Sequence, residues 1–115
     1  MLDASYIMVA MSWDYSFSDS VVVEKAPSKV KPPRKWKVVL YNDDYTPMDF
    51  VVLVLMRFFG HSMEKAEQIM WQVHTQGKGV CGVYPKEIAE TKMMQVNRFS
   101  RENGHPLLCQ IEVNE

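Results

Sequence analysis

The sequence predicts an α+β fold in the order β-α-α-β-α-β, with three helices packed on a small, mainly antiparallel three-stranded sheet. Three observations lead there. Trp36 to Tyr41 is a run of β-formers that stops at Asn42-Asp43-Asp44, a turn signal. Leu107, Cys109, Ile111 and Val113 alternate with other residues near the end of the chain, as a half-buried strand requires. Between them, apolar residues recur at helical spacing and are broken by glycines and prolines.

Residues 1–35 differ in kind from residues 36–115. Ala26 to Lys35 reads APSKVKPPRK, a proline- and lysine-rich linker without an apolar period. Ahead of it, Trp13, Tyr15 and Phe17 alternate with polar residues, but a single strand without partners is not stable. Residues 1–35 are therefore expected to be a mostly disordered extension and linker, and residues 36–115 the folded core.

Within that core, Thr46-Pro47-Met48-Asp49 suggests a helix start, with Thr46 as N-cap, Pro47 at the first helical position and Asp49 in the manner of a capping box. Val51, Val54, Leu55 and Phe58 come next at i, i+3, i+4 and i+7, and Gly60 ends the helix. Ser62 caps a second helix whose apolar face is Ala66, Ile69, Met70 and Val73, closed by Gly77 and Gly79. Val80 to Tyr84 forms a short strand. Pro85 opens a third helix through about Arg101, packed by Ala89, Met93 and Val96, and Asn103-Gly104-His105-Pro106 turns the chain into the last strand.

Composition excludes several classes of function. The 115 residues give room for one domain, and a formal net charge of −1 exerts no general pull on nucleic acid or anionic membrane. No apolar run approaches the ~20 residues of a membrane span. Ile7 to Met11 is too short for a signal-peptide core and comes after Asp3 rather than basic residues, so the cytoplasm is expected. Cys81 and Cys109 lie in strand-like apolar surroundings without metal-ligand spacing, and are expected to be buried, reduced thiols. No glycine loop for phosphates is present, no serine or cysteine sits in a nucleophile elbow, and no metal or other cofactor is expected.

The residues that could carry chemistry are few. Asn42, Asp43 and Asp44 are either plain turn residues or a cluster of oxygen acceptors at a strand end, suited to a cationic ligand. His74 borders the apolar stripe of the second helix, as a structural hydrogen-bonding residue or as an acceptor for a ligand. Met48, Val51, Met70 and Val73 fall on helix faces that can meet, as ordinary core or as a pocket whose methionines adapt to several bulky side chains. An interaction domain in translation and a small hydrolase using Asp43, Asp44 and His74 are the rival readings.

Asn42-Asp43-Asp44-Tyr45-Thr46-Pro47-Met48, Val73-His74 with Gln76-Gly77-Lys78, Cys81-Gly82-Val83-Tyr84, Glu90-Thr91-Lys92 and His105-Pro106-Leu107-Leu108 together closely resemble the bacterial ClpS family, over about residues 34–113. The resemblance implies a non-enzymatic, cofactor-free adaptor of the N-end rule that feeds N-degron proteins to the ClpA ATPase and the ClpP peptidase. It implies that Asn42, Asp43 and His74 bind the α-amino group. It implies that Thr46, Met48, Val51, Met70, Val73 and Leu107 form a pocket for a first residue of the Leu, Phe, Tyr or Trp kind. It implies that Glu87, Thr91 and Lys92 dock the N-terminal domain of a ClpA-type AAA+ ATPase. Partners are then that domain and N-degron proteins, with no nucleic acid, no membrane and a monomeric core. Pro85 departs from the pattern, standing where relatives often carry a capping Ser or Thr.

Overall fold

The computed structural model describes residues 32–115, so most of the expected extension lies outside the described residues. Strand β1 (Lys35–Tyr41) leads to helices α1 (Met48–Phe59) and α2 (Met63–Gln76). Strand β2 (Lys78–Pro85), helix α3 (Lys86–Glu102) and strand β3 (Leu108–Val113) complete the fold, in the expected order. The sheet order is β2-β1-β3, both pairings antiparallel, so the first strand lies at the centre.

Alternation along β1 sends Val38 and Leu40 to the helix-covered face, where both are fully buried. Helix α1 adds Phe50, Val51, Val54 and Leu55 to that core, and α2 adds Ala66, Ile69, Met70 and Val73. Helix α3 contributes Ala89 and Val96, with Met93 partly buried beside them. On the other face, Tyr41 donates to Glu112 at 2.8 Å and Lys78 donates to the same carboxylate oxygen at 3.1 Å, which links all three strands.

The helix ends are set by local chemistry. Ser62 Oγ accepts the Lys65 N–H at 3.1 Å and caps α2. Gly60 at φ 69° and Gly77 at φ 91° take the left-handed conformation that closes α1 and α2. Gly79 serves a different purpose from the helix stop expected of it: a Cβ there would lie 2.9 Å from Val73 Cγ2 and 3.3 Å from the Ile69 carbonyl oxygen. The glycine lets β2 approach α2.

Two features of the sheet have no sequence signal. A register shift opposite Val38 and Val39 leaves Cys81 as the extra residue of a β-bulge. His61 Nε2 lies 2.6 Å from the Cys81 carbonyl oxygen, and because a carbonyl only accepts, that nitrogen carries the proton. Both cysteines are free and buried, as expected. Burial pushes the Cys109 thiol up to about 12, and burial together with the neighbouring Cys109 raises Cys81 as well.

On the side of β3 away from β1, the Asn97 amide grips the strand twice. Its Nδ2 donates to the Cys109 carbonyl at 3.0 Å, and its Oδ1 accepts the Cys109 N–H at 2.8 Å. Removing the amide leaves two polar groups of a fully buried residue unpaired. Asn97→Leu is therefore expected to lose about 2 kcal/mol of stability. A urea titration read by circular dichroism checks this: the midpoint falls, and an unchanged midpoint contradicts the clamp.

Candidate functional site

The passage from β1 to α1 is organised by one carboxylate. Asp43 Oδ1 accepts the Tyr45 N–H at 2.8 Å and the Thr46 N–H at 2.7 Å, and Asp43 Oδ2 accepts the Thr46 hydroxyl at 2.8 Å. The turn reading of the Asx run is thus correct for Asp43. It leaves room for a ligand, because an ionised carboxylate offers about four acceptor sites. Partial burial raises the Asp43 carboxyl, but the donors from Thr46 and Tyr45 and the nearby charge of His105 outweigh it, and the net shift is downward. Asp43 is a held anion.

The Thr46 hydroxyl donates to Asp43, and no side chain caps the start of α1. Pro47 occupies the N-cap position at φ −64° and ψ 146°, and the Phe50 and Val51 N–H groups reach its carbonyl at 3.1 and 3.3 Å. The expected capping box at Thr46 is corrected accordingly. The loop is also fastened to the end of α2, where the Asn42 N–H donates to the Gly77 carbonyl at 2.9 Å.

These constraints surround a cavity of about 410 Å³ between the loop, the start of α1 and the end of α2. Asn42, Asp43 and His74 all line it, as do Thr46, Met48, Val51, Met70 and Val73. Val51, Met70 and Val73 are buried, whereas Asn42 and His74 are exposed, so the cavity has an apolar side and a polar one. The His74 ring packs edge-on against Trp71, with centroids 5.8 Å apart. Among the described residues no hydrogen bond joins His74 to a carboxylate.

Leu107 stands apart from the other expected pocket residues. It does not line the cavity and is 1% exposed, within the hydrophobic core. Asp44, a candidate acceptor of the sequence reading, lines the cavity too. So do Tyr45 and Pro47, which that reading does not assign to the site and which, like Asp44, belong to the run from Asn42 to Met48. His105 is not part of the lining but acts on Asp43. Its ring meets Phe50 at 4.4 Å and its charge favours ionised Asp43.

Glu87, Thr91 and Lys92 lie on α3 and do not line the cavity. Glu87 and Thr91 are exposed, and the Thr91 hydroxyl donates to the Glu87 carbonyl at 3.0 Å. Lys92 is partly buried. Its ammonium donates to the Phe58 carbonyl at 2.7 Å, near the end of α1, and lies 5.9 and 5.7 Å from the Phe59 and Tyr84 ring centres. The cation therefore meets the negative end of a helix dipole. Among the described residues no group of three His, Cys, Asp or Glu could hold a metal, and no helix is long and apolar enough to cross a membrane.

Residues 31–110 match the family described as ATP-dependent Clp protease adaptor protein ClpS. A relative from Hydrogenovibrio crunogenus named ATP-dependent Clp protease adapter protein ClpS is 61% identical over 95 residues, covering 83% of this chain and 91% of that protein. One of the same name from Methylococcus capsulatus is 56% identical over 99 residues, covering 86% and 93%. The solved structure of Agrobacterium tumefaciens ClpS2 bound to L-phenylalaninamide superimposes with a TM-score of 0.71 at 37% identity, covering 72% of this chain and all of that one.

The Asp43 hydrogen bonds give the loop a pH dependence of defined sign. A carboxyl whose folded value is lowered stabilises above its unfolded value, about 3.9, and that stability is lost as pH falls through the folded value. Asp43→Ala is expected to cost about 2 kcal/mol at neutral pH, a figure reduced for partial solvation. The gap between wild type and variant narrows as pH drops below about 4. Denaturant titrations of both proteins across pH check this, and a gap independent of pH contradicts it.

Proposed function

The chain belongs to the ClpS family of ATP-dependent Clp protease adaptors, and from that premise we propose that it binds N-degron proteins through a free α-amino group and a bulky hydrophobic first residue. Leu, Phe, Tyr and Trp are the first residues it takes, and it delivers their bearers in the cytoplasm to a ClpA-type ATPase for degradation by ClpP. The observation that carries this is the meeting of Asn42, Asp43 and His74 with Met48, Val51, Met70 and Val73 around one cavity.

The chemistry on the two sides of the cavity suits the two halves of such a ligand. An α-ammonium has three donors and one charge. An amide oxygen, a carboxylate and a neutral imidazole nitrogen answer them. Charge-assisted hydrogen bonds contribute roughly 1.5–3 kcal/mol each, and burying a Leu- or Phe-sized side chain adds roughly 1.5–3 kcal/mol. After the cost of association, an affinity near the micromolar range results. An adaptor needs that weakness, since it must release what it carries. L-phenylalaninamide, the ligand in the Agrobacterium structure, has a free amino group and a benzyl side chain, the same two halves.

Capture without catalysis accords with relatives named adapters. Glu87 and Thr91, exposed on α3, are the residues we assign to ATPase docking, and Lys92 supports them by tying α3 to the end of α1. Docking and substrate capture then use different parts of the fold.

Peptides that differ only in their first residue test this function. Binding is expected for Leu, Phe, Tyr and Trp, weak or none for Ile, Val, Ser and Asp, and cleavage for none. Met48→Ala removes bulk from the cavity wall and is expected to admit Ile and Val, because the flexible thioether no longer fills the space beside a branched Cβ. Isothermal titration reads both. Affinity that ignores the first residue rejects the proposed function, and unchanged exclusion of Ile by Met48→Ala rejects the role of Met48.

A further inference from the structure

A second concavity, of about 450 Å³, opens between α1 and α2 and shares Met48 and Met70 with the pocket. Leu53 and Met56 of α1 and Met63 of α2 line it. Core packing does not account for these side chains. The buried stripe of α1 runs through Phe50, Val51, Val54 and Leu55, and Leu53 and Met56 lie on a separate ridge three residues apart. Leu53, Met56 and Met63 are 46%, 36% and 58% exposed, so three large apolar side chains face solvent in one groove.

Two properties indicate an occupant. The groove adjoins the pocket, because Met48 and Met70 border both. Its charged lining residues, Asp49 and Glu67, are acidic, as are Asp43 and Asp44 around the pocket, the sign that suits a chain bearing an ammonium. Length fits as well. Met48 to Met56 spans about 12 Å of helix, the reach of about four residues of extended peptide.

We propose that this groove is a second substrate subsite, which receives residues two to five of the bound protein and buries a large apolar side chain from that segment. The inference rests on the pocket being the site of the amino-terminus. Methionine walls adapt to side chains of different shape, so the subsite selects for apolar bulk rather than for one residue type. Substrates sharing a first residue are then ranked by the apolar bulk of their next four.

The test titrates wild type and the double variant L53S/M56S with L-phenylalaninamide and with three Phe-initiated pentapeptide amides. One has serine at positions two to five, and the other two carry leucine at alternate positions, in the two possible registers. The better leucine peptide is expected to bind wild type about five- to tenfold more tightly than the serine peptide. L53S/M56S is expected to abolish that advantage while binding L-phenylalaninamide within about twofold of wild type. Should the double variant also lose the amide, Met63→Ser on the opposite helix makes the same comparison. An advantage that persists in the variants, or is absent from wild type, overturns the subsite. Wild type that fails to bind L-phenylalaninamide overturns the pocket itself. A wild-type dimer that L53S/M56S dissolves, with peptide affinities unchanged, makes the groove a self-association face and also overturns it.

Discussion

The Asp43 carboxylate accepts two backbone N–H groups and a hydroxyl from Tyr45 and Thr46, and those bonds direct the chain from sheet to helix. They set the turn that brings Met48 to the start of α1 and leave Asn42 facing the end of α2. They also keep the carboxylate ionised and partly sheltered, since each donor favours the charged form. Turn residue and ligand acceptor are thus one group. An unanchored acidic loop would have to be ordered at each binding event, at a cost in conformational entropy.

The remaining architecture holds that loop against α2. The Asn42 N–H to the Gly77 carbonyl joins the two sides of the cavity, and Gly77 is positioned by its left-handed cap and by the close packing of Gly79 against Val73 and Ile69. Behind the cavity, Val51, Met70 and Val73 belong at once to the core and to the lining, so the apolar side of the site is as rigid as the core. Met48, by contrast, is exposed and lies outside that core.

Much of this is legible in the sequence, for identifiable reasons. Glycines at their ends, the Ser62 cap and apolar stripes mark the helices, and β-formers between turn residues mark the strands. These are local signals, and the fold agrees with them. The Thr46 cap does not form because the helix starts one residue later, with Pro47 at the N-cap position, and spacing alone does not fix that boundary. Leu107, which the family resemblance puts in the pocket, is buried in the core and does not line the cavity, since a resemblance in sequence does not fix how deeply a side chain is buried. The bulge at Cys81 depends on pairing between strands and leaves no local trace. Lys92, part of an expected docking surface, proves to be tied to a helix end 34 positions away in sequence, a contact that no periodicity encodes.

The central claim is that the acceptors around the cavity read a charged amino-terminus. Isothermal titration of one Leu-initiated peptide, with its amino group free and with it acetylated, tests that claim most directly. Acetylation removes the charge and two of the three donors and leaves the side chain unchanged. The account predicts that the acetylated peptide loses at least about a hundredfold in affinity. Binding within about twofold of the free peptide would contradict it.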